Sequence, residues 1–142
     1  MKIFLRIIIV NVLLASPFIN GCAKKSSEQQ VTVLSENTKI GLKDGNYFSY
    51  NFDKNPKLGI AILKIEIFNK NDKKITNYKI TGNAGMPSMK EMGYSGVKEF
   101  NINKFSNYLF PFDIGMTGDW EININITKSG AAVFSGVIKF GV

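Results

Sequence analysis

Four methionines carry the chemistry this sequence has to offer. Met86, Met89 and Met92 recur every three residues in a glycine-rich stretch, and Met116 precedes a second glycine-rich turn. Thioether sulfur is a soft, neutral donor that suits Cu(I) or Ag(I), ions that tolerate few ligands. The spacing puts sulfurs on one side of a loop or of a single helical turn, with Met116 able to approach from the opposite side. Trp120 lies four residues beyond Met116 and is placed to cover such a site, because an aromatic face attracts a cation. A second reading stands beside this one. Methionine fills irregular gaps, sulfur packs readily on aromatic rings, and a glycine-rich loop between sheets needs apolar anchors such as Met86 and Met116.

Other reactive constellations are thin. Histidine is absent, which removes the usual general base and the commonest metal ligand. Ser88 with Lys90 or Lys98 makes a formal Ser–Lys pair, but no surrounding motif supports it. Glu91, Glu99, Asp113 and Asp119 are scattered beside turns and strand ends, as a solvated surface would hold them. No glycine-rich phosphate loop leads from a strand into a helix. An enzyme is not expected.

The single cysteine has a different kind of chemistry. Residues 1–21 read as a secretory signal, with Lys2 and Arg6 at the start and an apolar run over residues 7–19. At about 1.5 Å per residue that run spans roughly 20 Å, short of the ~30 Å hydrocarbon core a transmembrane anchor must cross. It ends in Ile19-Asn20-Gly21-Cys22, which resembles a bacterial lipobox apart from Asn20. The resemblance implies cleavage before Cys22 and a thioether-linked diacylglycerol on its sulfur. Lipidation at Cys22 would anchor the chain to a membrane and remove the thiol from any other role. Ala23, rather than aspartate, after the cysteine implies the outer membrane in enterobacterial-type sorting, with the domain facing the periplasm. Residues 22–30 form a polar tether reaching on the order of 15 Å, and Lys24 and Lys25 can rest against anionic head groups.

The chain of 142 residues has room for one domain. Removing residues 1–21 takes away Lys2 and Arg6, so 16 positive and 11 negative side chains leave +5. No run of Lys or Arg suggests nucleic acid.

Residues 31–142 read as strands throughout. Trp120, Ile122, Ile124 and Ile126 alternate with polar residues, the period of a half-buried strand. Phe134, Ile138 and Phe140 alternate likewise, as do Leu63, Ile65 and Ile67. Shorter pieces pair Phe48 with Tyr50 and Phe52, Tyr78 with Ile80, and Phe100 with Ile102. Tyr108, Phe110, Phe112 and Ile114 make another strand, which Pro111 marks as an edge or a bulge because it has no amide to donate. Turn chemistry falls between them: Asp44-Gly45, a polar hairpin connection over residues 69–74, and Thr127-Lys128-Ser129-Gly130. Seven or eight strands without helices predict an antiparallel β-sandwich, with a closed barrel as the alternative. Residues 81–96 stand apart, with four glycines and three methionines, and are expected to be a long loop holding the site.

A polar hairpin and a strand lead into Met86-Pro87-Ser88-Met89 with Met92 nearby. Later, Gly115-Met116-Thr117-Gly118-Asp119-Trp120 opens the alternating isoleucines. Over residues 42–142 this pattern resembles the YtkA-like domain family and the related FixH-type periplasmic domains. The resemblance implies an immunoglobulin-like fold, export, and an association with metal-efflux or oxidase-assembly components, without a settled activity. Histidine beside the methionines, frequent in other soft-metal periplasmic proteins, is missing here.

Two functions are expected from this reading. One is a non-enzymatic envelope lipoprotein acting as an accessory binding module of a membrane complex, with the strand at residues 108–114 or the methionine loop as the contact. The other is a soft-metal protein holding Cu(I) or Ag(I) on Met86, Met89, Met92 and Met116 under Trp120.

Overall fold

The computed structural model describes residues 33–89 and 94–142. The signal segment, Cys22, the tether, Lys90, Glu91 and Met92 lie outside the described residues. The described residues form nine strands: β1 (Ile40–Gly41), β2 (Tyr47–Phe52), β3 (Gly59–Phe68), β4 (Lys79–Gly85), β5 (Lys98–Glu99), β6 (Asn101–Ile102), β7 (Tyr108–Ile114), β8 (Asp119–Lys128) and β9 (Ala131–Gly141). A single 3-10 turn at Pro87–Met89 is the one helical piece among the described residues.

The strands pair in two sheets, β1-β2-β3-β7-β6 and β5-β4-β8-β9, with every pairing between strands antiparallel. The chain crosses between sheets after β3, β5 and β7, which places β3 beside β7 and β4 beside β8 at the two sheet centres. That is an immunoglobulin-like sandwich. Apolar alternation explains the layering. Leu63, Ile65 and Ile67 of β3 and Ile122, Ile124 and Ile126 of β8 face inward and are buried, with Phe48, Tyr108, Phe110, Ile114 and Ile138. Each such side chain contributes about 1.5–3 kcal/mol when fully buried. A one-residue slip of β8 would bury Glu121, Asn123 and Asn125 instead. All nine strands and both walls of the core lie within residues 33–142, so this stretch closes a core on its own.

The structure corrects one sequence expectation and refines two others. Residues 81–85 are not loop but the body of β4, and the loop proper begins at Met86. Gly82 sits there because a Cβ would lie 2.7 Å from the Asn123 carbonyl oxygen and 3.1 Å from Phe100 Cε1. The connection over residues 69–74 turns tightly, with the Asn69 amide donating to the Lys73 carbonyl at 2.9 Å. It closes a one-bridge hairpin, with Phe68 opposite Lys74 and the Ile75 amide donating to the Ile67 carbonyl at 2.9 Å, after which the chain crosses to β4 in the other sheet. Ile102 stands opposite buried Tyr108 and shares its face, yet it is half exposed because β6 is a two-residue strand at the edge of its sheet.

Pro111 has the local setting its missing amide requires. β6 pairs only with Tyr108 and Leu109, so beyond Phe110 no strand among the described residues flanks β7 on that side. Ser129 and Gly130 both take positive φ, 50° and 82°, the geometry that fits a tight turn to the twist of β8 and β9.

Candidate functional site

β4 ends at Gly85 and β8 begins at Asp119, and both open at the same end of the sandwich. The two methionine-bearing segments meet there. Met86 is buried, and its Cε methyl sits against Gly118, where a Cβ would lie 2.8 Å away. Gly118 also has φ +135°, a backbone shape that side chains rarely accept, so glycine serves both the turn and the contact. The 3-10 turn then carries Met89 back over the core, with its amide donating to the Met86 carbonyl at 3.0 Å. Met116 projects into solvent at 47% exposure. Its carbonyl oxygen accepts the Trp120 Nε1 hydrogen at 3.0 Å.

The structure therefore gathers Met86, Met89, Met116 and Trp120 at one end, while Met92 lies outside the described residues. Trp120 is only 8% exposed and its N–H is engaged, so it stands as a wall of the core beneath Met116. The donors on offer are neutral thioethers at three depths: buried, half-buried and exposed. Such a set fits a soft monovalent ion better than a hard divalent one. Among the described residues no three His, Cys, Asp or Glu side chains come together as a metal site.

Tyr94 and Glu121 border this end. Tyr94 bridges to Gly85 and donates its hydroxyl to Glu121 Oε1. Burial and that hydrogen bond push the Tyr94 hydroxyl up to about 12. Of the other reactive side chains, Ser88 is exposed on the 3-10 turn, and Glu99 is ion-paired with Lys79 at 3.0 Å. Asp113 and Asp119 are exposed on separate strands.

A feature not drawn from the sequence lies on the outer face of the β3–β7 pair. Ile60 is 79% exposed, and Ile62 stands two residues on, opposite Pro111. With Leu109 they form an apolar strip beside the open flank of β7. The signal was present in the uninterrupted run Ile60-Ala61-Ile62-Leu63, which is apolar on both faces of its strand.

No protein-family model matches the chain, and no curated protein matches it. Among solved structures it is similar to FetP of uropathogenic Escherichia coli strain F11, at TM-score 0.48 and 12% identity over 74% of this chain and 92% of that one. A copper-bound variant of the same FetP is similar at TM-score 0.47 and 10% identity, over 73% of this chain and 93% of that one.

Proposed function

We propose that this chain is a non-enzymatic, lipid-anchored module of the cell envelope that binds a protein subunit of a membrane complex along β7. The observation carrying this reading is the flank of β7 beyond Phe110, which no strand among the described residues pairs, bordered by the apolar strip of Ile60, Ile62 and Pro111. An exposed strand edge offers unpaired backbone groups, and an extended partner segment completes them by adding a strand. The apolar strip beside it gives such a segment a surface to bury. Anchoring rests on Cys22, the only cysteine, placed where a lipobox is cleaved.

The test is site-specific photo-crosslinking in living cells. A photoreactive residue at Ile60 or Pro111 is expected to give one discrete product with a membrane-complex subunit, and the same probe at Ser135 on the other sheet none. Ile60→Glu should abolish the product without lowering the melting temperature. Absence of a product from both positions rejects the reading. Fatty-acid labelling that disappears in Cys22→Ala tests the anchor separately.

A second reading is supported by the meeting of Met86, Met89 and Met116 at one end: a Cu(I) or Ag(I) site built from thioethers. It makes the methionine end, rather than β7, the working surface. A titration with the metal ion separates the two.

A further inference from the structure

The end of the sandwich away from the methionines is a single surface made of four turns. Lys70 of the 69–74 connection lies over the β1–β2 turn, its Cε 3.0 Å from where a Cβ on Gly45 would be. Lys74 Nζ donates to Asn107 Oδ1 at 2.8 Å, tying that connection to the 103–107 turn. Lys128, beside the β8–β9 turn, pairs with Asp44 at 2.9 Å.

Charge is concentrated here. Lys39, Lys74 and Lys128 are matched by Asp72, Glu66 and Asp44. Lys43, Lys70, Lys73 and Lys104 make no ion pair among the described residues, so the surface carries +4. Among the described residues at the opposite end, Glu36, Asp53, Asp113, Asp119 and Glu121 outnumber Lys54, Lys57 and Lys139 by two. The domain is therefore polarised along its strands.

One large apolar side chain stands in the basic surface. Phe105 is 64% exposed at the tip of the β6–β7 turn, with Lys104 Nζ 5.0 Å from its ring centroid. The turn presents it firmly: Asn103 Oδ1 accepts from the Phe105 and Asn107 amides at 2.9 and 3.0 Å.

We propose that this end docks on an anionic phospholipid bilayer, with Phe105 seated among the head groups and Lys43, Lys70, Lys73 and Lys104 facing lipid phosphates. An aromatic ring suits the interface, and lysine stems flank it while their ammonium groups stay hydrated. Each lysine brought near an anionic surface tightens binding by roughly fivefold at low salt. An acidic protein would take the same charge but would gain nothing specific from Phe105. Docking in this orientation holds the methionine end about 30 Å above the bilayer, since β3 has ten residues at about 3.3 Å each. The proposal does not depend on acylation at Cys22 or on either reading of the methionines and β7.

The experiment uses the chain from Ala23 onward, which holds the whole self-contained core and lacks both signal and thiol. It is sedimented with vesicles of phosphatidylcholine alone or mixed equally with phosphatidylglycerol. Binding is expected only to the mixed vesicles and should fall as salt rises. Lys70→Glu/Lys73→Glu should reduce it more than tenfold and Phe105→Ser severalfold, while Lys54→Glu/Lys57→Glu at the other end leaves it unchanged. In Phe105→Trp, emission of the new indole should shift to shorter wavelength on mixed vesicles. All these positions are exposed, and unchanged melting temperatures confirm that the variants fold. No sedimentation with mixed vesicles overturns the proposal. So does equal binding to both vesicle types, an unshifted indole, or binding to soluble polyglutamate without vesicle binding.

Discussion

The indole Nε1 of Trp120 donates to the backbone carbonyl of Met116 at 3.0 Å, so the ring that walls the core also fixes the turn carrying the exposed methionine. Trp120→Ala should be among the costliest single changes, about 3–5 kcal/mol in urea unfolding. Trp120→Phe keeps most of the ring and loses the hydrogen bond, at about 1 kcal/mol. It should also speed amide exchange over residues 115–118. Equal losses from the two variants would show that the hydrogen bond, not the ring's bulk, governs this end.

Gly82 tests the close approach of β4 to its neighbours. A methyl there meets the Asn123 carbonyl oxygen at 2.7 Å, a backbone atom that cannot yield cheaply, and the Phe100 ring at 3.1 Å. Gly82→Ala is expected to lose about 1–3 kcal/mol. Gly41→Ala has nothing within 4 Å, and should be neutral or slightly stabilising through the unfolded chain. Denaturant midpoints of the two variants side by side check the contrast.

These two positions also mark what the sequence could and could not convey. The alternation of Trp120, Ile122, Ile124 and Ile126 announces β8, its buried face and its polar face, because period two is a local property of the strand. Thr81-Gly82-Asn83-Ala84-Gly85 announces a loop, because glycine and asparagine have poor strand propensity. It is a central strand because Gly82 fits where Phe100 and Asn123 leave no room for a side chain, and that fit is non-local. The same limit applies to residues 69–74, whose turn chemistry is local but whose destination sheet is not. At the candidate site, the sequence shows two glycine-rich turns bearing methionines, and the structure sets the second against the first through Gly118 and Met86. The engagement of the Trp120 N–H was not readable, since it depends on the path of the chain between Met116 and Trp120.

Asp44 gives the fold a pH dependence. Burial alone would raise its carboxyl, but hydrogen bonds from Tyr78, Lys128 and the Asn46 amide outweigh this and hold it at about 2, below the ordinary 3.8. A carboxyl depressed by folding stabilises the native state above its unfolded value and loses that contribution as pH falls through the folded one. The stability gap between the wild type and Asp44→Asn should therefore be full above pH 4 and shrink toward pH 2. Tyr78→Phe removes one of the donors and should narrow the pH-dependent part of the gap. Urea midpoints measured across this range decide it, and a gap constant with pH would show that Asp44 is not depressed.

The last prediction separates the sulfur chemistry of the methionines from their bulk. Leucine nearly conserves methionine's volume, so each exchange deletes a thioether while leaving the packing almost intact. The chain from Ala23 onward should be used, because a free Cys22 thiol would itself capture Cu(I) or Ag(I) and mask weaker donors. If three thioethers share the ion, Met116→Leu should weaken Ag(I) or Cu(I) binding by about tenfold, about 1.4 kcal/mol, rather than abolish it. It should leave stability unchanged, since Met116 is exposed. Met86→Leu should weaken binding by a similar factor and also lower stability slightly, because the Met86 methyl is fitted against Gly118. The triple Met86/Met89/Met116→Leu variant should bind no better than background. A competition titration follows affinity, and Trp120 fluorescence follows the site in parallel, because an ion held beside Met116 lies close to the indole. Binding that survives in the triple variant, or quenching without dependence on Met116, returns these residues to packing and leaves the open edge of β7 as the working surface.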